Sequence, residues 1–409
     1  MLNGIWFALI LTAIISSVGH AIFNGDISVF SKLVQSLFDS AKLSFDVVLG
    51  LVGVLSLWMG FFNIAARAGI VDAIAKRLQT VFSKLMPDVP SGDPAIGAMT
   101  MNLAANMLGL DNAATPLGLK AMQELQRLNP TPLIATNAQI LFIVLNASSV
   151  TLLPVTIFMY RAQQGAVAPT DVFLPILIAT TVSTLAGLIA VSVMQKISLF
   201  QPVILALFAG LFSLMGGVAW LSIHFDQSAF QSIANGTANI LLIFVIAAFL
   251  CVAMVKKLPV FDIFVDGAKE GFDTAIRLIP FLVAMLVAIG LLRSSGALDF
   301  ALDMIRAIVS WCHLDARFVD ALPTALIKPF SGSGARAMMI ETMKTFGPDS
   351  FAARTAAIIQ GSTETTFYVS TVYFGVVGIR NVRHAIGCAL IADFAGIVAS
   401  IIVSYCFFG

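Results

Sequence analysis

The sequence predicts an all-α, polytopic membrane protein whose two related halves enter the bilayer from opposite sides. Three observations lead there. Of 409 residues, 59% are hydrophobic and 11% charged, against about a quarter charged in soluble domains. Several uncharged apolar runs are long enough to cross a bilayer. Two other apolar runs are interrupted midway, at Asn146-Ala-Ser148-Ser149-Val-Thr151 and at Gln360-Gly-Ser362-Thr363-Glu364-Thr365-Thr366. Lipid offers no water to a loosened backbone, so such breaks persist only where protein buries them or where they line a cavity.

The elements follow in order. Leu2–Val18 is a first crossing, without the basic leader or small-residue cleavage site of a secretory signal. Gly25–Lys42 has an apolar face (Val29, Phe30, Leu33, Val34, Leu37, Phe38) and a polar one, and is expected along the membrane surface. Val47–Ala66 crosses, and Ile70–Leu85 is a second surface helix. Pro94–Leu128 is too polar for a plain span. It is expected to be a re-entrant hairpin with its polar tip at Asp111–Thr115 and a second arm at Leu117–Leu128. Ile134–Tyr160 is the first broken helix, also marked by Pro154, and Val172–Gln195 and Ile197–Phe225 are clean spans.

The second half follows the same order. Gln227–Val255 is a span and Val260–Ala275 an amphipathic linker. Leu278–Leu292 is a short span, and Leu298–Trp311 a surface helix. Val319–Phe346 is a second hairpin with Lys328, Ser331-Gly-Ser333-Gly and Arg336 at its tip. Phe351–Val377 is the second broken helix and Ala385–Phe408 the last crossing. Gly69-Ile-Val-Asp72 answers Gly296-Ala-Leu-Asp299, Asn146-Ala-Ser148-Ser149 answers Gln360-Gly-Ser362-Thr363, and Ala186-Gly187 answers Ala395-Gly396. Three matched pairs in one order indicate an internal duplication. This gives residues 1–196 as repeat 1, 197–226 as a connecting transmembrane helix and 227–409 as repeat 2. With about nine crossings, five of them before Gln227, the second copy enters from the opposite face. A cytoplasmic N-terminus leaves a moderate excess of Lys and Arg inside, as expected for a bacterial inner-membrane protein.

The net charge of +1 gives no reason to expect nucleic acid. Four scattered histidines and Cys251, Cys312, Cys388 and Cys406 lack metal-ligand spacing, so neither a metal nor a cofactor is expected. No nucleophile–base pair or Gly-x-Ser-x-Gly run suggests an enzyme. Inverted repeats with broken helices are characteristic of secondary transporters, which bind solute where the copies meet. The expected substrate site takes Asn106, Asp111, Asn112 and Thr115 from the first hairpin, and Asn146, Ser148 and Ser149 from the first break. The second hairpin supplies Lys328, Ser331, Ser333 and Arg336, and the second break Gln360, Ser362, Thr363, Glu364 and Thr365.

Each of these has a plainer reading. Asp111 and Asn112 could cap a helix, Asn102 and Asn106 could bond to a neighbouring helix, and the Ser-Gly run could be a flexible turn. A helix starting after Gly334 would aim free N–H groups at an anion. Glu364 could be a structural carboxylate, and Asp393 could pair with a buried base. Intramembrane carboxylates are otherwise functional candidates, so Glu364 and Asp393 are the expected coupling-ion residues, for H⁺ or Na⁺. A small organic anion or zwitterion fits the balance of two acids (Asp111, Glu364) and two bases (Lys328, Arg336). The competing reading is a non-transporting membrane factor that scaffolds or regulates envelope enzymes. A homo-oligomer is compatible with either.

The stretch from Trp58-Met-Gly60 to Asp111-Asn112-Ala-Ala-Thr115-Pro116 resembles the spore maturation A family. That from Lys328-Pro-Phe-Ser-Gly-Ser-Gly334 to Gln360-Gly-Ser-Thr-Glu-Thr-Thr-Phe-Tyr368 resembles the spore maturation B family. The whole chain is similar to fused forms of the pair, within the nucleoside-recognition or gate-type membrane domains. The element order also resembles the core of concentrative nucleoside transporters, whose Gln-Thr-Glu run Ser362-Thr363-Glu364 matches in part. The resemblance implies a role in spore core maturation and a solute held by hairpin tips and helix breaks.

Overall fold

A computed structural model describes residues 2–409 except 91, 110, 198–204, 206, 207, 211, 214, 215, 218, 219, 222, 223 and 226. For residues 2, 3, 5, 24, 111–113, 227 and 228 it describes the backbone alone. The expected Ile197–Phe225 crossing falls largely outside the described residues. Among these, the chain is helical with no strand, and six helices are long and apolar enough to span a bilayer.

The first half comprises α1 (Leu2–Asn24), α2 (Ser28–Arg67), α3 (Ile70–Leu85), α4 (Pro94–Met107), α5 (Asp111–Arg127), α6 (Asn137–Ala147), α7 (Val155–Gln163) and α8 (Phe173–Gln195). The second comprises α9 (Gln227–Val255), α10 (Val260–Ser294), α11 (Ala297–Trp311), α12 (Leu322–Ile327), α13 (Gly332–Phe346), α14 (Phe351–Ser362), α15 (Thr366–Val376) and α16 (Ala385–Phe408). From α2 to α8 and from α10 to α16 the order is the same: long helix, surface helix, hairpin, broken helix, long helix.

The surface helix expected at Gly25–Lys42 is not separate. It continues into the next crossing as the 40-residue α2, because nothing between Lys42 and Val47 breaks a helix. Likewise Val260–Ala275 and Leu278–Leu292 fuse into the 35-residue α10, with Pro280 inside. These helices are about 50–60 Å long, well beyond the bilayer core of about 30 Å. They pack on each other. A Cβ on Gly290 would meet Ser40 and Ser36, one on Gly271 would meet Leu55 and Ser56, and one on Gly267 would meet Met59 and Asn63. Contact positions rise along α2 as they fall along α10, so the two run antiparallel. Asn63 Nδ2 closes the seam on the Ile263 carbonyl (2.8 Å).

Gly69 and Gly296 each turn a long helix into a surface helix, with φ of 72° and 74°, a region that L side chains avoid. Lys256, just past α9, donates to the Ala68 carbonyl (2.7 Å) at the C-terminal end of α2. α1 lies on α10, with Trp6 Nε1 donating to the Ala284 carbonyl.

α8 and α16 are also antiparallel. Ser183 Oγ donates to the Ala392 carbonyl (3.0 Å), and Gln195 reaches His384 and the Asn137 carbonyl. α8 therefore has the start of α6 at one end and, at the other, the pair of Asp171 with Arg161 from the last turn of α7. Thus α6 and α7 together run the length of a crossing, as do α14 and α15 beside them. The hairpins turn back. Arg127 closes the base of α4–α5 by two bonds to Asp93 (3.0 and 2.7 Å). That base adjoins residues 129–139, whereas the hairpin of α12 and α13 opens beside Asp349 at the opposite end.

Candidate functional site

The sequence ends α6 at Ala147 and α14 at Ser362 for local reasons. Ser148 Oγ and Ser362 Oγ turn back onto the carbonyls of Val144 (2.8 Å) and Ile359 (2.9 Å), competing with the helical ladder. Pro154 then supplies no donor to continue the first helix, while Thr363 and Thr365 are extended at the second break.

Freed backbone groups are satisfied by the other parts of the site. The Glu364 N–H donates to the Ala147 carbonyl (2.7 Å), which joins the two breaks. Each hairpin tip docks on the break of its own half. The Leu152 N–H donates to the Met107 carbonyl (2.8 Å), and the Phe367 N–H to the Pro329 carbonyl (3.0 Å). Side chains repeat the pattern. Asn106 Nδ2 donates to Asn146 Oδ1 (2.9 Å), and Lys328 Nζ to the Gln360 carbonyl (2.8 Å). That lysine sets a cation at the C-terminal, electronegative end of α14. Gln360 Nε2 reaches the Gly332 carbonyl.

The four kinks line a cavity of about 550 Å³. Asn106, Ala114, Thr115, Asn146, Ser331, Gly332, Ser333, Arg336, Glu364 and Thr365 face it. A smaller space of about 70 Å³ adjoins it, bordered by Asn106, Lys328, Arg336, Gln360, Thr363 and Glu364. Glu364 is solvent-exposed within this setting. The Arg336 guanidinium sits over the Tyr160 ring, 5.4 Å from its centroid, so α7 of one half orients a base carried by α13 of the other. Ser331 caps α13 by accepting from the Gly334 N–H (3.0 Å). The N-terminal ends of α13 and α15 open on the cavity and favour negative charge there.

Not every expected residue lies on the cavity. Ser148 and Ser362 are buried with their hydroxyls on helix carbonyls, and Ser149 is buried at the break without lining either space. The expected tip at Asp111–Thr115 is helical instead, because α5 begins at Asp111 and puts Thr115 a turn inside it. The side chains of Asp111 and Asn112 lie outside the described residues. α13 begins at Gly332 instead of after Gly334, and Gly334 serves packing: a Cβ there would lie 2.6 Å from Met285. Asn102 bonds to the Ala114 carbonyl and Tyr373 Oη. Asp393 is buried behind the second break and lines neither space.

Sequence reasoning missed the apolar wall, formed by Leu278, Phe281, Phe330, Phe367 and Tyr373. Phe330 and Phe367 stack at 5.0 Å. Gly118 gave the one sequence signal: a Cβ there would lie 2.1 Å from Tyr373 Oη, so α5 admits the ring only at a glycine.

Helices of this kind, with paired breaks and two hairpins around one cavity, define a multi-pass helical membrane protein. Residues 48–163 and 275–380, together more than half of the chain, match the Gate family, described as nucleoside recognition. The chain belongs to that family. It is 45% identical to spore maturation protein B of Bacillus subtilis (strain 168) over 179 residues, covering 44% of this chain and 99% of that protein. It is 35% identical to spore maturation protein A of the same organism over 189 residues, covering 46% of this chain and 93% of that protein.

Proposed function

We propose that this protein is a secondary transporter of a small polar organic solute, an anion or zwitterion of nucleoside-like size, in a bacterial inner membrane. One observation carries the reading: two hairpins and two helix breaks, one of each per half, line a single cavity. Its volume of about 550 Å³ falls within the range of about 300–1,000 Å³ for small-molecule sites. The antiparallel α2–α10 and α8–α16 pairs support inverted halves, the arrangement in which one unit moves against the other about a midplane site. Arg336 and the N-terminal ends of α13 and α15 suit an anionic group on the solute. Glu364, Asn106 and Asn146 suit a cationic or hydroxyl-bearing one, and the aromatic wall suits a planar body. The N-terminus faces the cytoplasm, residues 1–196 form the spore maturation A-like half and residues 227–409 the B-like half. The protein performs no covalent chemistry, and solute flux is coupled to an ion.

Flux into proteoliposomes across a panel of nucleosides, nucleotides and amino acids tests this. Arg336→Ala and Glu364→Gln should each reduce flux of the accepted solute by roughly tenfold to a hundredfold, the worth of a hydrogen bond to a charged group. Flux that is absent for every solute, or untouched by both substitutions, would overturn the reading. Partner-dependent function with a substitution-tolerant site would then favour the scaffold.

A further inference from the structure

Asp393 is only 2% exposed, and α16 presses it against the second break: a Cβ on nearby Gly396 would lie 2.8 Å from Thr363 Cγ2. The hydroxyls of Thr363 and Thr366 bear on its carboxylate. Yet both Asp393 oxygens and both of these hydroxyl oxygens are buried without completing a hydrogen bond. An ionised carboxylate to which the neighbouring hydroxyls complete no bond is costly to bury, and such groups neutralise instead.

The first half holds the counterpart. Gly187 lies against Ser148 and Ala392 as Gly396 lies against Thr363 and Ser183. In that register Thr184 stands where Asp393 stands. Thr184 Oγ1 donates to the Ser148 carbonyl and closes the end of the first break. A carboxyl group can donate in that way only when protonated.

We propose that Asp393 is a proton-binding site of the second break, whose neutral form takes the donor role of Thr184 and whose ionised form draws on Lys328 and loosens the end of α14. Resting on the transport reading above, this makes the proton the coupling ion. Among the described residues, the ionisable groups set around Asp393 at the second break are Lys328 and Glu364. α6 and α8 carry no ionisable residue, and α15 carries only Tyr368 and Tyr373. The proton has a path, since Thr363 touches Asp393 on one side and lines the small cavity on the other. It leaves the carboxyl oxygen through that hydroxyl, and the carboxylate keeps the electron pair. An inorganic cation fits less well, because Asp393 lines neither of the two cavities and a second positive charge would oppose Lys328.

Infrared difference spectra of the full chain in lipid nanodiscs, stepped from mildly acidic to mildly alkaline pH, test the assignment. A protonated-carboxyl band should be lost in Asp393→Asn and kept in Glu364→Gln. Should Asp393→Asn prove unstable, Asp393→Thr, the residue at the matching position of the first half, makes the same decision, because its hydroxyl can donate but cannot carry the band. A band that neither substitution of Asp393 removes overturns the assignment, as does a carboxylate signal that responds to Na⁺ instead of pH. The spectrum needs no solute, so an intact Asp393 band with no solute flux overturns the transport reading alone.

Discussion

Arg161 directly follows the apolar run Ile134–Tyr160, a place where an arginine ordinarily faces water. In the structure its guanidinium is fully buried, 2.9 Å from Asp171 and 3.2 Å from Asp349, and it donates to the Pro348 carbonyl (2.9 Å). Arg354 completes the group on Asp171 (2.8 Å). Removing one member leaves an uncompensated buried charge, so Arg161→Ala should cost about 3–5 kcal/mol. Arg161→Lys should rescue little, since an ammonium lacks the planar fork that reaches all these acceptors. Thermal unfolding in detergent reads the loss; a melting point equal to that of the unaltered chain would show the network to be dispensable. Gly118→Ala is a smaller test of the same kind. It should push Tyr373 away from α5, releasing the hydroxyl of Tyr373 from Asn102, and intrinsic fluorescence would report the displaced ring.

Elements depart from expectation where an amphipathic stripe packs on a neighbouring helix instead of lying on the membrane surface. The polar stripe at the start of α2 is real, but Ser36 and Ser40 face the antiparallel α10. A helical stripe says which face differs, and only the neighbour says what it touches. The first hairpin has a device of its own, readable from Asp93-Pro94: the Asp93 side chain accepts from the Ala95 N–H (2.9 Å) and pairs with Arg127. The Ala95 N–H first, and Arg127 with it, hold the Asp93 carboxyl below the usual carboxylate range. A group whose folded-state pKa is lowered stabilises above its unfolded value, and that contribution is lost as pH falls through the folded one. The base of the hairpin should therefore open in acid, seen as faster amide exchange in α4 after correction for intrinsic rates. Asp93→Asn should keep the cap, because Asn caps as well as Asp, and remove the pH dependence. Unchanged acid sensitivity in Asp93→Asn would assign it elsewhere.

At the scale of the whole molecule, the halves are fastened at both ends by loops of the same kind. At one end residues 133–135 bond to 380–383: the Ala135 N–H donates to the Asn381 carbonyl (2.9 Å), and the Arg380 and Asn381 N–H groups to the Leu133 carbonyl (3.0 Å). At the other end the Arg161 network joins residues 161–171 to 348–354. The two fastenings lie at opposite ends of α8, about 35 Å apart for its 23 residues. Single cysteines replacing the exposed Val167 and Arg380, in a chain whose own cysteines are serine, should therefore react with a membrane-impermeant reagent from opposite sides. Labelling of both from one side would contradict this placement.

Class, order and the polar breaks were legible in the chain itself, because lipid imposes them locally. A span needs an uninterrupted apolar run, a break needs residues that can leave the helical ladder, and Gly69 and Gly296 mark turns that few other residues can make. Matched breaks also pointed to one chamber, since Asn146 and Gln360 recur in equivalent surroundings. What tertiary structure alone decided is which groups meet. Ser148 and Ser362 turn inward while Asn106 and Arg336 turn toward the cavity, aromatic rings from α10, α12–α13 and α15 supply its wall, and Asp393 stands against two threonines across a glycine contact. The physical reason is range. Hydropathy and backbone chemistry act within a turn or two of one helix, whereas the site consists of side chains brought together from segments as far apart in the chain as Asn106 and Tyr373.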